Sequence, residues 1–311
     1  MTTVAYKAFN ADFTCRSFQY EVGKTYTHGG VISMCTAGFH ACENPLDVLN
    51  YYNLCDSRFA VVELSGEILT HDEEDSKLCA ATLHVRAELK FPDFVKTAVQ
   101  YLIEACKPKD GESSERVMSS SGDGAQLASS GYYAQLASSG DRAQLASSGD
   151  RAQLASSGYD AKLASSGDRA KLASSGDGAQ LASSGDRAKL ASSGGWAKLA
   201  SSGGWAQLAS SGDGAKLASS GYGAKLASSG DGAQLASSGT GAQLASSGEN
   251  GVICSSGWNA HAKGKAGTWV SLAEFDEDGN CIGFAAGCAG KDFPADTWVR
   301  AKDGKLVEVG K

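Results

Sequence analysis

The residues of this chain that could do chemistry fall into two groups. The first is nine cysteines, at 15, 35, 42, 55, 79, 106, 254, 281 and 288. No two form a C-x-x-C pair, so neither a zinc ribbon nor a dithiol redox site is signalled. Cys35, His40 and Cys42 lie close together and read as core residues. The chain has no H-E-x-x-H pair, Walker loop or nucleophile elbow, and Gly122-Asp123-Gly124 lacks the strand and helix that a dinucleotide loop requires. The second group is periodic. Between residues 116 and 259 acids, arginines and aromatics recur at multiples of nine.

Those periodic residues sit in a nine-residue unit, Ala-(Gln/Lys)-Leu-Ala-Ser-Ser-Gly-x-x, whose fourteen regular copies start at Ala125 and end with the one at Ala242, with blurred copies at Arg116 and Gly251. A fixed period of this kind announces a solenoid. Ala125 and Leu127 are two apart, so a strand points both inward and turns Gln126 and Ala128 outward. Ser-Ser-Gly-Asp reads as the turn. Gly131 and its equivalents are expected to supply a positive φ, and the Asp to hydrogen-bond its own backbone.

Nine residues enclose a perimeter of roughly 30 Å, too small for a Leu and an Ala, so two units per eighteen-residue coil are expected. Sixteen units then make about eight coils and a rod near 40 Å long. Reading every eighteenth residue gives Tyr133, Arg151, Arg169, Arg187 and Trp205 on one edge. Arg, Trp and Tyr are the types enriched at interface hot spots. With the adjacent Tyr222, these are the candidate partner-binding residues. The competing reading is a solubilising ladder in which Arg169 pairs with Asp168, worth under about 1 kcal/mol per pair.

Charge and spacing weigh against other uses of a rod. Net charge is −7, but residues 116–259 carry 11 basic and 10 acidic groups. A duplex-DNA mimic needs a strongly acidic surface, and a nucleic-acid binder a basic one, so nucleic acid is not the expected partner. A calcium-binding β-roll places Asp two before the Leu, where this chain has Ala143 before Leu145. An ice-binding face is usually Thr-rich, and here Lys162, Lys171 and Lys189 interrupt the outward row.

The fold class expected is mostly β, in three parts. Residues 1–110 form an α+β domain: a first strand over residues 5–8, a short helix capped by Asn44 and opened by Pro45, strands over 58–65 and 81–89, and an amphipathic helix carrying Phe94, Val95, Ala98 and Leu102. Lys107 to Glu115 link it to the solenoid of residues 116–259. Residues 260–311 are expected to form a β-meander cap with turns at Asp278-Gly279-Asn280 and Asp303-Gly304, and with Trp269, Phe275, Phe284 and Trp298 as its apolar lid. No apolar run is long enough to span a membrane. MTTVAYKAFN lacks a signal peptide's basic and apolar regions, and the scattered cysteines suit a reducing cytoplasm.

Gly38-Phe39-His40-Ala41-Cys42-Glu43, then Asn50-Tyr51 and the strand Val61-Val62-Glu63-Leu64-Ser65-Gly66, resemble the central motif of the ADP-ribosyltransferase fold of poly(ADP-ribose) polymerases. The resemblance covers residues 1–66. It implies an NAD cofactor, a nicotinamide-stacking role for Tyr51, and ligand contacts from His40 and Lys7. Lys7 falls where the family has a His-Gly pair, and Ser76 to Ala80 contains no counterpart of the catalytic Glu. Those departures imply a non-catalytic version with no cofactor, with an NAD-dependent transferase as the alternative. The whole layout also resembles phage and prophage proteins with Ala-Ser-Ser-Gly-Asp repeats. The expectation is therefore a non-catalytic interaction protein that engages a host or phage protein.

Overall fold

The structure is a computed structural model that describes residues 2–70, 75–105 and 117–309. The expected linker, Lys107 to Glu115, and Arg116, the first residue of the blurred repeat, lie outside the described residues. The chain divides into two compact units, Met1–Tyr101 and Leu102–Lys311.

The first unit has seven described strands and most of the one α-helix: β1 (Thr3–Phe9), β2 (Thr14–Cys15), β3 (Phe18–Gln19), β4 (Thr25–Thr27), β5 (Phe39–Cys42), β6 (Arg58–Thr70), β7 (Lys77–Leu89) and α1 (Phe91–Ala105), whose last turn crosses the boundary. The sheet order is β4-β7-β5-β1-β6, and β6 also pairs with β7, so the sheet curls back on itself. Alternation along β6 and β7 sends Val62, Leu64, Leu83 and Val85 into one core with Ala5 and Phe9. Phe59 of β6 stacks on Phe94 of α1 with ring centroids 3.9 Å apart. Asn44 caps as expected, its side chain accepting the Leu46 N–H at 3.0 Å, but the element is a 3-10 helix, Pro45–Asn50.

The second unit is the solenoid. Each nine-residue copy gives one four-residue strand, such as Gln144–Ser147, and successive strands alternate between two parallel sheets. Gln135 pairs with Gln153 and Leu136 with Leu154, so the coil is eighteen residues. Each sheet has nine parallel strands, from Val117–Ser120 to His261–Gly264 in one and from Gln126–Ser129 to Trp269–Phe275 in the other. That is one coil more than the repeat count gives, because His261–Gly264 and Trp269–Phe275 keep the pairing after the consensus has faded. Inside run columns of Ala, Leu and Ser, with Ala170 and Leu172 fully buried. Each buried Leu contributes about 1.5–3 kcal/mol, so the core's stability is spread evenly over the coils.

The corners differ from the sequence reading in two ways. Positive φ falls on the second variable residue, at Tyr133, Arg151, Arg169 and Trp205 among others, and not on the Gly of Ser-Ser-Gly. That Gly is required by contact instead: a Cβ at Gly158 would stand 2.1 Å from the carbonyl oxygen of Gly140, one coil earlier. The corner Asp also reaches beyond its own backbone. Oδ1 of Asp150 accepts the N–H of Asp168, and Asp168 does the same for Asp186, both at 2.9 Å. The Asp column is thus a stitch between coils.

The C-terminal strands are not a single meander. Cys281–Cys288 extends one sheet antiparallel, while Val299–Lys302 and Lys305–Glu308 extend the other. A separate hairpin closes each sheet. The residues that close the core are Val270, Leu272, Ala289, Phe293 and Val299. The expected lid residues alternate the other way: Trp269 and Phe284 are exposed, Phe275 is half-buried, and Trp298 lies under the Lys263 ammonium at 4.9 Å.

Candidate anion pocket and corner ladder

In the first unit a cavity of about 720 Å³ opens beside β1, β5 and the start of β7. Lys7, on the inward face of β1, is 5 % exposed; its Nζ donates to the His40 carbonyl at 2.9 Å and lies 3.6 Å from Cys15 Sγ. Burial lowers its pKa. Lys77, opening β7, holds its ammonium 4.2 Å from the centre of the Tyr51 ring and 3.1 Å from Cys35 Sγ. Arg16 donates to the Cys35 carbonyl at 3.3 Å. Three cations therefore border one cavity, and among the described residues no carboxylate lines it.

The rest of the wall is consistent with that charge. His40 Nε2 accepts the Cys35 N–H at 2.9 Å, which requires a neutral ring. Burial, then Lys7, Lys77 and Arg16, depress its pKa to about 4. Tyr51, exposed at the cavity mouth, donates to Asp75, and burial together with that bond raises its phenol pKa. Tyr52 donates to Cys15 Sγ at 2.8 Å. Arg16 and Cys35 both have positive φ, 56° and 67°, a conformation that costs a non-glycine residue about 1–2 kcal/mol and gathers at functional sites.

All three candidate ligand residues, Lys7, His40 and Tyr51, line this one cavity. The sequence reading did not find Arg16 and Lys77. Lys77 is placed by the β5–β7 pairing, where Cys42 faces Lys77, and Arg16 by the turn between β2 and β3. Arg16 meets Cys35 across 19 residues and Lys77 meets Cys35 across 42, separations that leave no local pattern.

The solenoid's expected edge is also assembled. Tyr133, Arg151, Arg169, Arg187 and Trp205 occupy equivalent positions of successive coils with φ between 53° and 61°. Arg151 donates to the Tyr133 hydroxyl, and its guanidinium lies 5.4 Å from that ring. Arg187 lies 5.8 Å from the Trp205 ring, and Trp205 packs edge-on against Tyr222 at 5.3 Å. Gly, Asn or Asp would occupy these corners with less strain, so the side chains displayed carry a cost of about 1–2 kcal/mol per position. Among the described residues no group of His, Cys, Asp and Glu is placed to hold a metal ion. No helix described is long and apolar enough to cross a membrane.

By fold this is a β-solenoid repeat protein preceded by a small, mostly β domain with one helix. Residues 3–97 match the family described as Domain of unknown function (DUF7666), a span that holds the whole cavity lining, Lys7, Arg16, His40, Tyr51 and Lys77 included, and none of the repeats. No curated protein and no solved structure matches the chain.

Proposed function

We propose that this chain is a non-catalytic binding protein: its N-terminal domain captures a small ligand that joins an anionic group to a planar ring, and its solenoid is a stiff platform for a protein partner. One observation carries the reading. Lys7, Arg16 and Lys77 border a single cavity with no lining carboxylate among the described residues. Cations bordering a half-enclosed site favour an anion, and charge-assisted bonds to it are stronger than neutral ones. Tyr51, already under a Lys77 ammonium, offers a ring face at the mouth.

A nucleotide fits both requirements, and the placement of His40 and Tyr51 in this cavity favours NAD as a second reading. The same wall argues against transfer chemistry. An oxocarbenium-like transition state needs a carboxylate beside it, and the described lining supplies none. The resemblance of the repeats to phage proteins supports a proposed site of action in a host cytoplasm, a reducing compartment that suits the free thiols of Cys15, Cys35 and Cys79.

Titration of the full chain with ADP, NAD, adenosine and inorganic phosphate tests the proposal. ADP or NAD is expected to bind at least tenfold tighter than adenosine, and Arg16→Ala or Lys77→Ala to weaken it tenfold or more, about 1.4 kcal/mol each. Equal affinity for adenosine and ADP, or indifference to both substitutions, would overturn it. Transfer of label from NAD to protein, abolished by Tyr51→Ala, would replace it with the enzymatic reading.

A further inference from the structure

The Arg-aromatic corner of the solenoid is a surface independent of the cavity, and we infer that it docks an acidic α-helix laid along the rod. Arg169 and Arg187 hold φ of 57° and 56°, and Trp205 53°, where glycine would be unstrained. Equivalent corners elsewhere do use glycine, at Gly178, Gly214 and Gly232. The fold therefore does not require these side chains. Their types are those that dominate protein interfaces.

The arrangement along the edge is ordered. A pair of tyrosines, Tyr132 and Tyr133, with ring centroids 4.4 Å apart, stands at one end, and Trp205 with Tyr222 at the other. Between them lie Arg151, Arg169 and Arg187. The neighbouring Asp150, Asp168 and Asp186 each have one carboxylate oxygen bonded to the backbone N–H of the next coil. Those acids are turned to the stitch, while Arg187 is exposed and Arg151 and Arg169 are half-buried beside it. Two Arg–aromatic contacts, Arg151 on Tyr133 and Arg187 on Trp205, fix the guanidinium planes at both ends of the row.

Spacing selects the partner. Coils are stacked about 4.8 Å apart, so Tyr133 to Trp205 spans four steps, roughly 19 Å. A helix returns a side chain to the same face about every 5.4 Å, a mismatch near 0.6 Å per step that long side chains absorb over the row. An extended strand repeats a face about every 6.6 Å and falls out of register within two or three coils. The fitting partner is a helix of about 13 residues with Asp or Glu on one face at helical spacing and an apolar residue at each end. The Asp of the same corners offsets the row's charge toward any anionic partner, so spacing and the aromatic ends select the helix, and a polynucleotide is the competitor that the test separates.

The test uses the full chain and three synthetic helical peptides: one with three Glu aligned on one face between terminal Leu residues, one of the same composition with the row broken, and one with Lys for Glu. Fluorescence anisotropy is expected to show the aligned peptide bound at least tenfold tighter than the other two. Arg169→Gly with Arg187→Gly is expected to erase that preference while leaving the melting temperature unchanged or raised. Trp205→Gly serves as a second, independent variant with the same expectation for binding. Equal binding of aligned and broken peptides, retention of the preference in both variants, or displacement by single-stranded DNA at lower concentration than by the aligned peptide would overturn the inference. ADP binding in the cavity is unaffected in any of these outcomes, so the two proposals fail separately.

Discussion

His40 shows how a single residue couples the cavity to pH. Its folded pKa of about 4 lies below the value near 6.5 of an unfolded histidine. Between those values the unfolded chain takes up a proton that the folded domain refuses, so stability that is complete above pH 6.5 is lost as pH falls toward 4. Discounted for solvent screening of a half-exposed ring, the loss is about 1–2 kcal/mol. Hydrogen exchange of peptides within residues 3–97 is expected to accelerate over that window, and His40→Gln to flatten the response. An exchange rate indifferent to pH after correction for intrinsic chemistry would remove His40 from this role. Protonation of the folded ring adds positive charge to the cavity only as pH falls to about 4, so an anionic ligand is expected to bind more tightly at pH 4 than at pH 7 in the wild type but not in His40→Gln.

The coil is the element on which the solenoid's behaviour depends. Register pairing joins residue n to residue n + 18, and the Asp stitch follows the same interval. Excision of eighteen residues, Ala161 to Gly178, removes one whole coil and rejoins like corners, so the shortened chain is expected to fold and to keep a cooperative melt. Excision of nine exchanges the two sheets downstream and presents each closing hairpin to the wrong one. All five tryptophans lie between Trp196 and Trp298, which makes their fluorescence a direct report on the solenoid. A nine-residue deletion that melts like wild type beside an eighteen-residue deletion that does not fold would contradict the two-unit coil. The Ser-Ser-Gly glycine belongs to the same argument, since the contact of Gly158 with Gly140 recurs at every coil and leaves no room for a Cβ.

At the scale of the molecule, a stack of coils with a uniform core must be closed at its ends, because an open parallel edge and bare Leu columns invite association. Two hairpins at the C-terminal end do this, one on each sheet, with Phe293 and Val299 sealing the core. Removal of residues 276–311 is expected to turn a well-defined species into aggregates at micromolar concentration, read by size-exclusion chromatography. An unchanged elution profile and melting temperature would show that the hairpins do not seal the core. Period, coil length, the inward Ala and Leu columns and the edge that carries Arg151, Arg169 and Arg187 were legible in the sequence, because each is set by contacts at a constant interval that the repeat writes fourteen times over, whereas the burial of the second Ala at Ala155, Ala173 and Ala191 in one sheet was not. What the tertiary structure decided is where one contact meets another. The positive φ falls two residues after the glycine, and the glycine is required instead by the carbonyl of the coil before, which leaves no room for a Cβ. Lys7 and His40 were visible as candidates only through a likeness, whereas Arg16 and Lys77 join them through strand pairings and a turn that no local pattern encodes. The repeat specifies the rod from one unit outward; the cavity exists only once distant strands have closed around it.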